Sequence, residues 1–154
     1  MTQKSRFALF VGNRGMFPPQ LIAEPRRDIP ALLRSWGHEV LVMPEEATRY
    51  GAVETAEEGR KYARFLDEHR GEFDGVILSL PNFGDENGAL AALQDAGVPI
   101  LIQAYPDDMD KMQPALRRDA FCGKMSVMDI FVQAGVQFTI RKPQARQIAA
   151  CPEN

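Results

Sequence analysis

The chain of 154 residues is poor in the residues that build cross-linked or metal-bound scaffolds, with two cysteines, two histidines and one tryptophan. Cys122 and Cys151 lie far apart, in no motif typical of a zinc site or a redox pair. We therefore expect two reduced thiols, as in a cytoplasmic protein. His38 and His69 belong to no cluster with metal-ligand spacing, and neither is placed to serve a Ser or Cys nucleophile as a base. The sequence predicts no metal site and no self-sufficient catalytic set.

A long apolar run and an excess of positive charge are also missing. The longest uninterrupted apolar run near the start has five residues, 7–11, too few for a signal-peptide core or for the ~20 residues of a membrane-spanning helix. The 18 Lys and Arg residues are outnumbered by 21 Asp and Glu residues, which gives a formal net charge of −3. A weakly acidic chain lacks the basic surface that phosphate-backbone binding requires. We expect neither a membrane nor a nucleic acid as a partner.

What the chain does contain is a regular alternation of short apolar runs and longer amphipathic stretches. The apolar runs predict strands at 6–11, 39–43, 75–80, 98–104 and 136–140. The amphipathic stretches predict helices at 28–36, 55–70, 85–96 and 124–134. Such alternation is typical of a parallel sheet with helices on both faces. We predict an α/β fold, a flavodoxin- or Rossmann-like three-layer sandwich around an open parallel sheet of about five strands. One domain is expected over 1–140, followed by a tail at 141–154.

Polar and aromatic residues are concentrated at the carboxyl ends of the predicted strands, where open parallel sheets bind ligands. After the third strand, Asn82 and Phe83 place an amide beside an aromatic ring, a combination that suits a sugar or a similar polyol. Capping of the following helix explains their neighbours Asp85 and Glu86. After the first strand, residues 12–15 match neither the Gly-x-Gly-x-x-Gly nor the P-loop spacing, so nucleotide binding is not indicated.

The fourth strand and the helix that follows it bring further candidates. Gln103 and Tyr105 are a second amide and ring, although packing in the core or at its rim would also explain Tyr105. Arg117, Arg118 and Lys124 form the densest cationic patch in the second half of the chain, at a helix start that would suit an anion. An arginine–aspartate link that supports the loop is the structural alternative, and both readings can hold together.

Three segments, taken together, resemble the N-terminal region of the L-fucose/L-arabinose isomerase superfamily. They are residues 10–19 (FVGNRGMFPP), 80–86 (LPNFGDE) and 117–126 (RRDAFCGKMS), and their order and spacing match across about residues 6–139. The third segment is the most distinctive. The resemblance implies an aldose–ketose isomerase that uses a divalent metal such as manganese. It also implies that the metal ligands belong to later domains, before which this chain stops.

On this resemblance we expect a substrate-covering and assembly domain of a sugar isomerase in carbohydrate metabolism, inactive alone and without a cofactor of its own. The expected partners are a sugar at the carboxyl edge of the sheet, and further copies of the chain or the missing isomerase domains. The residues expected to face the sugar or a neighbouring subunit are Asn82, Phe83, Arg117, Arg118 and Lys124, with Arg14, Gln103 and Tyr105 behind them. The alternatives are a free-standing flavodoxin-like ligand-binding or regulatory protein and, as a third class, a small enzyme that uses Cys122.

Overall fold

Four strands form one open, all-parallel sheet in the computed structural model, which describes residues 4–140. They are β1 (Arg6–Val11), β2 (Glu39–Val42), β3 (Gly75–Leu80) and β4 (Ile100–Ala104), in the spatial order β2-β1-β3-β4. In the register of the sheet, Ala8 of β1 pairs with Leu41 on one side and with Val76 on the other. All six residues of β3 are buried, as expected for a central strand that is covered on both faces.

Helices cover both faces of this sheet. They are α1 (Ala23–Ser35), α2 (Ala56–Glu68), α3 (Glu86–Leu93) and α4 (Ala120–Gln133). Alternate residues of β1 point to opposite faces, so Leu9 packs in one core with Ile29 of α1 and Phe10 in the other core with Tyr62 of α2 and Phe131 of α4. Among the described helices, α1 lies on one face and α2, α3 and α4 lie on the other. The predicted α/β fold with an open parallel sheet is confirmed.

The strand count is one fewer than expected. Residues 136–140, predicted as a fifth strand, make a single parallel bridge between Leu101 and Thr139. The amide of Thr139 donates to the Ile100 carbonyl at 2.7 Å and its carbonyl accepts from the Ile102 amide at 3.0 Å. These two bonds make one bridge pair, and residues 136–140 form no ladder of consecutive pairs with β4. The tail expected at 141–154 lies outside the described residues.

Two helices begin earlier than predicted. Helix α1 begins at Ala23 rather than Asp28, with Pro25 in its first turn, where a missing N–H costs nothing because that group has no helical partner. Helix α4 begins at Ala120 rather than Lys124, directly after Asp119 in the left-handed conformation with φ 48°. None of the helices between residues 4 and 140 is long and apolar enough to cross a membrane.

Helices α2 and α3 approach each other through glycine. A Cβ atom on Gly59 of α2 would overlap the carbonyl oxygen of Gly88 in α3. Because both positions lack a side chain, the two helices pack backbone to backbone and the amino end of α3 lies close to the start of α2.

Candidate functional site

The chain connections reverse direction between β1 and β3, and in open parallel sheets such a switch point is the usual place for a ligand. Three segments meet there. The loop after β1 is joined to residues 53–54 by a parallel bridge, in which the Asn13 amide donates to the Val53 carbonyl at 3.0 Å. The loop after β3 meets the loop after β1, because Oδ1 of Asn82 accepts from the backbone amide of Arg14 at 3.3 Å.

A buried polar chain connects these three segments. The Asn82 side chain is fully buried, and its Oδ1 accepts from the backbone amides of Arg14 at 3.3 Å and Gly84 at 3.2 Å. Its Nδ2 donates to Oδ1 of Asn13, whose own Nδ2 donates to the carboxylate of Glu54. Buried amides need such partners, since an unpaired polar group in the core is costly. The buried Asn82 side chain therefore holds the loop after β1 and the loop after β3 together.

Arg14 lies above this chain as a half-buried side chain in a fixed orientation. Its Nε donates to the Gly84 carbonyl at 2.9 Å, and its guanidinium carbon lies 4.5 Å from the centroid of the Phe83 ring. Its Nη2 bonds to the carboxylate of Glu86 and lies 3.8 Å from Oδ2 of Asp85. A guanidinium over an aromatic face is attracted by the ring quadrupole. These contacts hold Arg14 in one direction before any ligand arrives.

The aromatic part of the site is a stacked pair. The rings of Phe83 and Phe17 have centroids 5.8 Å apart and planes inclined at 24°. Asp85, next to this pair, accepts from the amide of Gly88 at 2.7 Å and so caps α3, as the sequence predicts. Arg14, Phe83 and Phe17 together form one surface with planar hydrogen-bond donors at one side and an apolar ring face at the other. We call these three residues the arginine–phenylalanine platform.

Arg118 and Tyr105 meet on the neighbouring side of the same loop. Arg118 donates to the Pro81 carbonyl at 3.1 Å and to the carboxylate of Glu24 at 2.6 Å, and its guanidinium carbon lies 5.1 Å from the centroid of the Tyr105 ring. Its side chain is only 16% exposed. Burial, helped by the nearby Glu24 carboxylate, raises the pKa of Tyr105 to about 12. Arg118 thus connects α1, the loop after β3 and the loop after β4.

Three other predicted site residues lie away from the platform. Arg117 is exposed and its Nε lies 2.8 Å from the Asp119 carboxylate, which is the arginine–aspartate link considered above. Lys124 is buried in the second turn of α4 and donates to the Ile102 carbonyl at 3.0 Å; desolvation lowers its pKa to about 8.

Gln103 occupies a third position, on the sheet itself. Its Oε1 accepts from Oγ of Ser79 at 2.7 Å, and its Nε2 is buried without a hydrogen-bond partner among the described residues. The structure therefore brings Arg14, Asn82 and Phe83 into one cluster, and Arg118 with Tyr105 into a second.

Sequence reasoning missed Asn13, Phe17 and Glu54. The position of Asn13, directly after β1, is a signal that could have found it, and Phe17 lies within the first family-like segment. Glu54 carries no such signal, because only the bridge between Gly12 and Val53 brings it to the edge. Its side chain is 7% exposed, and its Oε2 lies 3.6 Å from the Arg49 guanidinium.

The resemblance implies a divalent metal such as manganese, but the residues that the structure describes do not fit such an ion. No three His, Cys, Asp or Glu side chains between residues 4 and 140 are grouped so that they would hold a metal ion. The carboxylates at the switch point already have other roles: Glu86 and Asp85 neutralise Arg14, and Glu54 accepts from Asn13.

Two surface crevices formed by the described residues lie elsewhere. One of about 470 Å³ is lined by the end of α3, the start of β4 and residues 135–139, at the opposite edge of the sheet from the platform. The other, of about 410 Å³, lies between Ile22, Arg26 and Tyr50. The platform is instead an open surface at the switch point, and its fixed polar and aromatic groups are what mark it.

The comparison of the chain with protein-family profiles agrees with the three family-like segments. A search of curated proteins finds no match to this chain. The sequence profile described as "Fucose/sulfoquinovose isomerase, N-terminal domain" matches residues 8–151. This range includes all three segments, 10–19, 80–86 and 117–126, together with both clusters of the candidate site. Because the match spans far more than half of its length, the chain belongs to the family of fucose/sulfoquinovose isomerase N-terminal domains.

Proposed function

We propose that the switch-point edge of this domain binds a sugar and covers one side of the active site of an aldose–ketose isomerase. The observation that carries the proposal is the arginine–phenylalanine platform, in which Arg14 is held over Phe83 next to Phe17. An apolar ring face with a few fixed polar groups is what a polyol requires, because its C–H face and its hydroxyl groups are recognised separately. Membership of the isomerase family supports a sugar as the ligand.

In this proposal, the contacts beneath the platform have a positioning role. Asn82 holds the backbone of Arg14 and Gly84, and Arg118 holds the carbonyl of Pro81. Side chains that are locked by packing and hydrogen bonds lose little conformational freedom when a ligand binds. Ordering them therefore reduces the binding free energy only slightly. The role of the chain is to bind the sugar, to orient it and to exclude water from one side.

The chemical step belongs to other parts of the protein in this account. Conversion of an aldose to a ketose moves a proton between two adjacent carbons and another between their oxygens, which requires a positioned base and a group that polarises the oxygens. We propose that these groups and the divalent metal come from other domains of the isomerase or from another copy. The chain alone, with Mn²⁺ or Mg²⁺ added, is then expected to interconvert neither L-fucose nor L-arabinose with its ketose.

Saturation-transfer NMR with L-fucose tests the binding role on the full chain. We expect binding in the millimolar range, weakened at least about ten-fold by R14A and by F83A, because each removes one half of the platform. The matched control is R34A, which removes an exposed arginine near the end of α1 and should leave binding unchanged. Equal affinities for the wild type, R14A and F83A would refute the proposal.

A further inference from the structure

The arginine of the platform is already neutralised. Its Nη2 bonds to the Glu86 carboxylate, and Asp85 adds a second carboxylate at 3.8 Å. The side chains of Arg14, Asp85 and Glu86 are each between 21% and 29% exposed, so solvent screens these charges only in part. An anionic group that approached Arg14 would meet two carboxylates for one guanidinium.

Glu54 and Glu58 form a second pair of carboxylates near Asp85 and Glu86. The Glu54 carboxylate is nearly buried, and the guanidinium of Arg49, 62% exposed, is its only described cationic partner. The carboxylate of Glu58 is bonded to the backbone amides of Arg49 at 3.0 Å and Glu54 at 2.7 Å. The part of the edge around the platform therefore has two cations, Arg14 and Arg49. It has four carboxylates, those of Asp85, Glu86, Glu54 and Glu58.

Other cations near the edge are also committed. Arg118 pairs with Glu24, Arg117 pairs with Asp119, and Lys124 is buried against a backbone carbonyl. Arg26, beside the end of β2, donates to the carbonyls of Gly51 at 2.7 Å and Met43 at 3.0 Å.

The free N–H groups at the amino end of α3 also have a carboxylate partner. Free N–H groups at a helix start would attract an anion, but here the Asp85 carboxylate caps this end. The start of α4 has no side-chain cap, and the Asp119 carboxylate at that end pairs with Arg117. Each of these described cations near the edge therefore already has a partner, which is a carboxylate for Arg14, Arg49, Arg117 and Arg118 and a backbone carbonyl for Arg26 and Lys124.

We propose that this edge selects a neutral sugar over one that carries a sulfonate or a phosphate. The inference rests on the function proposed above and names the substrate class of that same site. The family description includes both kinds of sugar, since fucose is uncharged and sulfoquinovose carries a sulfonate. A tightly bound sulfonate needs a charged hydrogen-bond donor that is free to face it. Like charges brought together across an interface instead suppress the wrong partner.

The test compares L-fucose with sulfoquinovose on the full chain, by chemical-shift titration at low and at high salt. We expect sulfoquinovose to bind at least about ten-fold more weakly than L-fucose at low salt. This gap in affinity between the two sugars should be smaller at high salt, because screening weakens the repulsion. The variant E86Q removes one carboxylate beside Arg14 and should narrow the gap. The control E68Q removes the same charge from the exposed end of α2 and should leave the gap unchanged.

The outcomes separate this inference from the function on which it rests. Equal or tighter binding of sulfoquinovose by the wild type would overturn the selectivity and leave the sugar-binding function standing. A gap that E86Q leaves as wide as in the wild type would overturn the electrostatic explanation. Binding of neither sugar would overturn both proposals.

Discussion

Gly123 of α4 lies directly against the backbone of Phe83, so closely that a Cβ atom at position 123 would overlap the Phe83 carbonyl oxygen. Helix α4 is therefore in contact with the loop that presents the aromatic half of the platform. The family-like segment 117–126 includes this glycine, and the contact gives it a physical role. Any side chain at this position has to push the loop away from the helix.

The variant G123A is expected to lower the free energy of unfolding by about 1–3 kcal/mol, since overpacking against backbone cannot be relieved by a rotamer change. The better helix propensity of Ala offsets at most ~1 kcal/mol of that loss. Urea denaturation measures the difference. The control C122A alters the exposed neighbouring side chain and should stay within about 0.5 kcal/mol of the wild type. Wild-type stability in G123A would show that the loop is not fixed by this contact.

The buried amine of Lys124 predicts a pH dependence of stability. Its pKa falls from the ordinary 10.5 to about 8 in the folded chain, so between these values the unfolded chain binds more protons. The free energy of unfolding should therefore rise with pH from about 8 to 10, by at most about 1.4 kcal/mol per pH unit. Above pH 10 the raised pKa values of Tyr62 and Tyr105 act in the opposite direction, because only the unfolded tyrosines ionise there.

Urea titrations of the wild type and K124M at pH 7, 8, 9 and 10 check this prediction. K124M carries no amine and should not show the rise. Parallel curves for the two proteins would mean that Lys124 keeps its ordinary pKa in the folded chain.

The adjacent arginines are expected to differ in their effect on stability. R118A removes a largely buried donor from Pro81 and leaves Glu24 without its cation, so we expect a loss of about 1.5–3 kcal/mol, typical of hydrogen bonds to charged groups. R117A removes an exposed pair with Asp119 and should cost less than about 0.5 kcal/mol. Thermal melts of both variants measure the contrast. Two equal losses would contradict the separate roles that the contacts indicate.

The outer face of α4 predicts association. Phe121, Met125 and Val132 are 47%, 58% and 68% exposed, and their spacing places them along one side of the helix. Large apolar side chains that are exposed along one side of a helix often mark an interface. Sedimentation velocity should show self-association of the wild type between micromolar and millimolar concentration, and the variant M125E should reduce it. A wild-type chain that stays monomeric over this range would favour the free-standing module.

The central strands could be predicted to the residue, whereas the inner face of α4 could not. The continuous apolar runs of β1 and β3 stand between turn residues, which leaves little choice of boundary. Helix α4 is apolar on nearly all sides, so its periodicity does not show that Lys124 points into the core.

The hydrogen-bonded chain of Asn82, Asn13 and Glu54 below the platform could not be predicted from the sequence, for a related reason. Asn82 was predicted from its place after β3, but its partner Asn13 and the more distant Glu54 meet it only through the fold. Residues 54 and 82 come from separate loops, and no local pattern in the sequence pairs them. The sequence thus located the edge of the sheet and only part of the network that holds it.

The most direct test of the account is to map L-fucose onto the full chain by two-dimensional ¹⁵N–¹H NMR. We expect the largest shift changes at the backbone amides of Arg14, Phe83 and Gly84, which surround the platform. Changes centred on the crevice between the end of α3 and residues 135–139, or an unchanged spectrum at saturating sugar, would contradict it.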